Sequence, residues 1–210
     1  IILVSVVGYA NSAAEGKVAQ VATYNVAATS LLARIQIQAE KMRRYEKEMF
    51  IYAASPEKRA KYVKDFNDAV VKLLDLQNDA AGTGNKGFTD ADRAEVLKWK
   101  EATAVYTSEF TKVTGKAETA AADPNLTITL NTDIGPGKDR FREVLDGASK
   151  MRESKEKLSQ EVGAEIRKGF NLVFWAVIAM GALLVLAAAF VFTPKAATRP
   201  DARTSQLRSG

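Results

Sequence analysis

The chain contains neither cysteine nor histidine, and only five of its 210 residues are proline. Without cysteine there can be no disulfide, no thiol nucleophile and no thiolate metal ligand. Without histidine the chain also lacks the most frequent general base and the most frequent metal and haem ligand. The remaining acids and amines are scattered among surface positions of predicted helices. We therefore expect no catalytic residues, no metal and no cofactor.

Basic residues exceed acidic ones by 30 to 25, a formal net charge of +5. Four basic residues and one acid fall in residues 194–210, so this tail supplies +3 of that excess. Nucleic-acid binding needs a clustered basic face with interleaved aromatic residues, and the rest of the chain shows no such face. We expect no nucleic-acid partner.

An uncharged run of 24 residues, 170–193, reads FNLVFWAVIAMGALLVLAAAFVFT. As a helix it would extend about 36 Å, enough to cross a hydrocarbon core of about 30 Å. The run therefore predicts a transmembrane helix in contact with membrane lipid. Aromatic residues lie where its two membrane interfaces are expected: Phe170, Phe174, Trp175, Phe190 and Phe192.

The basic tail favours a cytoplasmic position for residues 194–210, which would place residues 15–169 on the opposite side. Arg167 and Lys168 argue weakly for the reverse orientation. At the other terminus, residues 1–14 begin with the apolar run IILVSVVGYA, which is too short to span a bilayer. We interpret it as the outer end of a truncated first transmembrane helix; the remnant of a signal peptide is the alternative.

Residues 15–169 predict four amphipathic helices in an antiparallel, up-down four-helix bundle, an all-α fold. The first helix covers about 16–54, the second follows Ser55-Pro56 to about Ala80, and the third runs from Thr89 to about Ala122. The segment Leu126–Leu130, β-branched and alternating, predicts a loop. The fourth helix begins near Lys138 and enters the transmembrane run without a break, so the first and fourth helices would both continue into the membrane.

The first helix carries an apolar seam with alternating spacings of three and four, which indicates packing against other helices. Its members are Val18, Val21, Asn25, Ala28, Leu32, Ile35, Ala39, Met42, Glu46 and Met49. A second seam beside it widens the stripe, which favours a homodimer; deeper burial in one bundle is the alternative.

Two polar residues, Asn25 and Glu46, interrupt the seam. A buried carboxylate is costly unless it is paired, so Glu46 should meet a Lys or Arg of another helix or line a polar pocket. Arg43, Arg44, Glu46 and Lys47 are the candidate ligand-binding residues, because Arg is suited to bidentate capture of a carboxylate. The alternatives are a polar pair that fixes helix register and a solvated charged face.

The run Met42–Phe50 (MRRYEKEMF), followed by the turn Ser55-Pro56-Glu57, resembles the periplasmic sensor region of bacterial chemoreceptors, the methyl-accepting chemotaxis proteins. Gly135-Pro136-Gly137 and Asp146-Gly147-Ala148 are also similar to the start of the fourth helix in that family. Ala197-Thr198-Arg199-Pro200 resembles the opening of the HAMP linker.

The resemblance implies a dimeric signal-transduction protein of the bacterial inner membrane, with its bundle in the periplasm and its tail in the cytoplasm. The sequence departs from the family because no Leu follows Pro200, where the linker usually has one. Two hypotheses remain open. The chain is a sensor-like module that detects a small solute or periplasmic partner and relays the signal through its transmembrane helix, or it is a non-signalling accessory subunit of a larger membrane complex.

Overall fold

The computed structural model of the chain describes residues 2–119 and 125–192, with side chains for residues 21–119 and 125–191. Over these residues the fold is all-α, as predicted, with no strand. Its five helices are α1 (Ile2–Ile51), α2 (Pro56–Ala81), α3 (Asp90–Thr119), α4 (Leu126–Asp133) and α5 (Gly135–Phe192). The chain divides into two compact units, one ending at Ile166 and the other beginning at Arg167, so the division falls within α5.

Several predicted features lie outside the described residues. They are the basic tail 194–210 with its HAMP-like motif, the side chains of residues 1–14 and the side chain of Phe192. The backbone of residues 2–14 is described, and it forms the first part of α1.

The first helix is longer at its start than predicted and ends earlier, at Ile51. Its seam is buried from Asn25 to Met49, including both polar members, Asn25 and Glu46. Val21 is the exception, because it is exposed although the pattern places it in the seam. The alternation of three and four residues therefore identified the buried side of α1 correctly over its second half.

The starts of α2 and α3 use different chemistry. Ser55 occupies the N-cap of α2 with Pro56 after it, as predicted, but the Ser55 side chain makes no capping hydrogen bond. At α3, Thr89 and Asp92 cap each other: the Asp92 amide donates to Thr89 Oγ1 at 3.2 Å, and the Thr89 amide donates to Asp92 Oδ2 at 2.8 Å. This reciprocal arrangement satisfies two backbone donors that the helix itself cannot.

The predicted loop at Leu126–Leu130 is wrong, because this segment lies in a short helix, α4. Leu126 and Leu130 are four residues apart, so a helix turns both toward the core, where both are buried. The Thr127 hydroxyl donates to the carbonyl of Phe50 at the end of α1, at 3.1 Å. Tertiary contacts therefore override the weak strand propensity of the β-branched residues.

Within the first unit, α2 packs against both α1 and α3. The beginning of α5 packs against α3, since the rings of Phe141 and Tyr106 stack at 4.4 Å. One turn and a half further along α5, Gly147 lies against Trp99: a Cβ built on Gly147 would come within 2.6 Å of the indole nitrogen. Leu97 and Val105 of α3 are exposed.

The described part of the second unit, residues 167–192, is the end of α5. Its large apolar and aromatic side chains are exposed, including Phe170, Phe174, Trp175 and Phe190. Among the helices of the described residues, α5 alone carries a stretch long and apolar enough to cross a membrane, and none of that stretch is buried by protein. The unbroken course of α5 into this stretch was predicted and is confirmed.

Candidate functional site

A cluster of charged and hydroxyl groups surrounds Glu46 inside the first unit. Glu46 occupies a seam position of α1 between Met42 and Met49, and only 1% of its side chain is exposed. Because seam positions of α1 face the other helices, the sequence places this carboxylate in the core. Its two oxygens have different surroundings, and these determine what the cluster can do.

The Oε2 atom of Glu46 accepts two hydrogen bonds. Arg43, one turn earlier on α1, donates through Nη1 at 2.7 Å, and the hydroxyl of Tyr106 on α3 donates to the same oxygen. Tyr106 is itself fully buried, with its ring stacked on Phe141 and edge-on to Phe66. The aromatic packing thus fixes the position from which the phenol reaches the carboxylate.

The Oε1 atom of Glu46 accepts no hydrogen bond from any described residue. The nearest charge to it is Lys138 near the start of α5, whose Nζ lies 3.8 Å away. That separation is an ion pair but too long for a hydrogen bond. Lys138 instead donates two hydrogen bonds to Asn131 of α4, one to Oδ1 at 2.6 Å and one to the carbonyl oxygen at 3.1 Å.

Burial and charge shift the titration of two members of this cluster. Burial and the neighbouring Glu46 carboxylate raise the pKa of Tyr106 far above its ordinary value, so the phenol remains a donor at every physiological pH. Burial lowers the pKa of Lys138 below its ordinary value, although the Glu46 charge opposes this shift.

The structure brings together some of the predicted ligand-binding residues and separates others. Arg43 and Glu46 are in contact, and Lys138 supplies the partner from another helix that the buried carboxylate required. Arg44 points elsewhere, with its guanidinium carbon 4.9 Å from the ring centroid of Tyr45. Lys47 is exposed and, among the described residues, joins no part of the cluster.

The other polar seam residue, Asn25, is buried, and its Nδ2 has no hydrogen-bond acceptor among the described residues. It lies 21 positions before Glu46 on α1, which corresponds to about 32 Å along a helix, so the two polar interruptions of the seam belong to different places. The sequence reasoning had grouped them only as members of one seam.

Tyr106 is the member of the cluster that the sequence reasoning missed as a polar group. It lies on α3 with Trp99 and Val113, which are buried as it is. A buried tyrosine hydroxyl usually has a hydrogen-bond partner, so the expected burial of both Tyr106 and Glu46 was the available signal.

A second buried ion pair joins α3 to α5. Lys155 Nζ lies 2.5 Å from Asp92 Oδ2, the same oxygen that caps α3, and both side chains are mostly buried. Burial alone would raise the pKa of Asp92, but hydrogen bonds from Lys155 and Thr89 hold it below the ordinary value. Arg93 next to it donates to the carbonyls of Gly82 and Asn85 and so holds the connection between α2 and α3.

The chemistry available in the cluster is that of one carboxylate held by charged and hydroxyl donors. Over residues 2–119 and 125–192, no group of three or more metal-ligating side chains could hold a metal ion. The Glu46 cluster offers a carboxylate that is contacted from α1, α3 and α5. Its Oε2 atom accepts two hydrogen bonds, and its Oε1 atom accepts none from the described residues.

Comparison with models of known protein families, with curated proteins and with solved structures found no match for this chain.

Proposed function

We propose that this chain is a membrane-anchored sensor module. In this proposal α1, α2, α3 and residues 135–166 of α5 form an antiparallel four-helix bundle outside the membrane. The bundle detects a small solute or a partner protein, and the apolar end of α5 crosses the membrane and carries the change to the other side. The resemblance to chemoreceptors places the bundle in the bacterial periplasm and the tail in the cytoplasm, in a homodimer.

The observation that carries the proposal is the placement of Lys138. Lys138 belongs to α5, the one described helix that is long and apolar enough to cross a membrane. Its Nζ faces Glu46 Oε1, the carboxylate oxygen that accepts no hydrogen bond from the described residues. Lys138 has a competing set of acceptors on Asn131 of α4. A small movement of α5 would therefore exchange one partner for the other, which is the kind of two-state element that a ligand can bias.

The packing around the cluster supports a change of helix position over a local side-chain change. In the core Tyr106 stacks on Phe141 and meets Phe66 edge-on, and close-packed interiors shift between discrete arrangements more readily than they deform. A ligand can shift such an equilibrium only by its differential affinity for the two arrangements.

The test uses the intact protein in lipid nanodiscs. Because the chain has no cysteine, Lys41→Cys and Lys150→Cys supply the only two thiols for spin labels, one on α1 and one on α5. Probes are a panel of amino acids, organic acids and amines. We expect at least one probe to change the label distance and, at about 100 times its Kd, to raise the Tm by about 5–10 °C. Glu46→Gln should abolish the distance change while binding persists.

A second candidate function is an accessory subunit that uses the same bundle without signalling. The observation that favours it is the burial of Glu46, whose carboxylate lies beneath Arg43, Tyr106 and Lys138 with almost no exposure to a solute. This candidate predicts that no probe changes the label distance or the Tm. It also predicts that the chain purifies with a larger membrane complex at a fixed stoichiometry. That combination of results would overturn the sensor proposal.

A further inference from the structure

A surface groove between α1 and α2 has a cavity volume of about 370 Å³ and lies apart from the Glu46 cluster. Arg34 and Ile37 of α1 line one wall, and Lys72, Asp75 and Asp79 of α2 line the other. Its volume falls at the lower end of the range for small-molecule sites, about 300–1,000 Å³. The groove therefore fits a compact ligand.

The four charged side chains of the groove lack a close partner in the part of the chain that the structure describes. Among the described residues, neither Arg34 nor Lys72 nor the carboxylates of Asp75 and Asp79 make an ion pair or a side-chain hydrogen bond. Earlier on the same helix, equally exposed charges are paired, with Lys64 at 2.7 Å from Asp68. The groove thus differs from the surface beside it in keeping charges of both signs unpaired.

Two of these charges, of opposite sign, lie apart along the α2 wall of the groove. Lys72 and Asp79 are seven residues apart on α2, about 10 Å along the helix axis, with Asp75 between them. Leu76 lies on the same face and is largely buried, and half-exposed Ile37 faces the groove from α1. The lining therefore combines positive and negative groups with an apolar floor.

We propose that this groove binds a small aliphatic zwitterion. Arg34 and Lys72 hold the ligand carboxylate, because a guanidinium presents a bidentate fork to it. Asp75 and Asp79 hold the ammonium group, and the methylene chain covers Ile37 and Leu76. A dianion or a dication would satisfy one pair of charges and face repulsion from the other. The axial separation of Lys72 and Asp79 favours an ω-amino acid over an α-amino acid, whose two charges lie closer together.

This inference rests on the proposed function, because it names the ligand class that the sensor would detect. The two are tested by different readouts: binding in the groove by calorimetry, and movement of α5 by the label distance. Absence of binding of the zwitterion would overturn the groove assignment while the label distances of the other probes still decide the proposed function.

The experiment is isothermal titration calorimetry of the intact protein in nanodiscs with γ-aminobutyrate as the probe. Butyrate lacks the ammonium group and butylamine lacks the carboxylate. Each lost contact to a charged group corresponds to a loss of about 10- to 100-fold in affinity. We therefore expect γ-aminobutyrate to bind at least about tenfold more tightly than either analogue.

Two variants locate the site. Arg34→Gln should weaken the binding of γ-aminobutyrate about 10- to 100-fold and leave the affinity for butylamine unchanged. Asp79→Asn should weaken the binding of γ-aminobutyrate by a similar factor and leave the affinity for butyrate unchanged. The control is Lys64→Gln, which removes an exposed cation of α2 outside the groove and should bind as the parent does. Circular dichroism melts establish that each variant is folded.

Three results would overturn the proposal. They are no binding of γ-aminobutyrate up to about 10 mM, a free energy of at best about −3 kcal/mol; equal binding of all three compounds; or binding that neither Arg34→Gln nor Asp79→Asn weakens.

Discussion

The two parts of α5 differ in what surrounds their apolar side chains. In residues 135–166, apolar side chains recur on one side, and Phe141, Val144 and Ala148 are fully buried against the rest of the first unit. After Lys168 the helix has no charge, and its apolar side chains are exposed all round. A helix that is apolar on every side needs an apolar medium around it.

The difference shows that the sequence of one continuous helix meets two different requirements. The first part is specified by periodicity, because only the positions that meet α1 and α3 must be apolar. In the proposed function the second part is specified by composition, because lipid would contact every side and any charge would be costly. Changes that are tolerated in one part should therefore be damaging in the other.

The largest effect is expected at Glu46, where the first part of α5 meets a buried charge. Glu46→Ala leaves the Tyr106 hydroxyl, Arg43 and Lys138 without their shared acceptor, and breaking a buried ion pair in this way costs about 3–5 kcal/mol. Urea unfolding of the intact protein in detergent, followed by circular dichroism, measures the loss. The matched control Glu143→Ala removes a half-exposed pair to Arg140 and should change stability by less than about 1 kcal/mol. Equal effects of the two substitutions would contradict the burial of Glu46.

A charge placed in each part of α5 compares them directly. Leu184→Arg puts the charge in the middle of the apolar run and should make membrane insertion less favourable by about 3 kcal/mol. The same change at Leu158, an exposed position in the first part, should leave insertion unchanged. Glycosylation of acceptor sites placed on either side of the run measures the inserted fraction. A loss of insertion in both variants, or in neither, would remove the distinction between the two parts.

Two glycines of α5 give the next effect, with opposite signs. Gly147→Ala places a Cβ within 2.6–2.8 Å of the Trp99 ring, an overpacked contact that should cost about 1–3 kcal/mol. Gly163 has no atom within 4 Å of a built Cβ, so Gly163→Ala should stabilise the protein by about 0.5–1 kcal/mol through helix propensity alone. Thermal melts of the two variants measure both changes. A stabilising Gly147→Ala would show that α5 and α3 are further apart than described.

The smallest effect is a dependence of stability on acid at the Asp92–Lys155 pair. Because the folded pKa of Asp92 is lowered, its contribution is fully present above the unfolded value of about 3.9 and is lost as pH falls through the folded pKa. The Tm difference between the parent and Asp92→Asn should therefore be constant from about pH 7 to pH 5 and shrink below about pH 4. A difference that stays constant at low pH would mean that Asp92 does not titrate as described.

Much of the fold could be predicted because it is written in local spacing. The seam of α1, the Ser55-Pro56 start of α2 and the entry of α5 into the apolar run each depend on residues close together in sequence. The short helix α4 was missed for the same reason: its local pattern favours a strand, and only the burial of Leu126 and Leu130 against distant residues makes it helical.

The sequence predicted that a charged site would form around Glu46 but not which residues of the other helices would join it. Glu46 was identifiable because a carboxylate in an apolar seam needs a cation beside it. The identity of the partners depends on helix register, which brings Tyr106 and Lys138 to Glu46 from positions 60 and 92 residues away. Arg44 and Lys47, close to Glu46 in sequence, are separated from it because positions one and two apart on a helix do not share a face.

The most direct test of the contrast within α5 is the reactivity of single thiols in native-lipid vesicles. The chain has no cysteine, so Lys150→Cys and Leu184→Cys each introduce the only thiol. In vesicles that are open to the reagent on both sides, a hydrophilic maleimide should label the thiol of Lys150→Cys at once. The thiol of Leu184→Cys should stay protected by lipid until detergent is added and the protein is unfolded. Rapid labelling of Leu184→Cys in the intact vesicles would contradict the account.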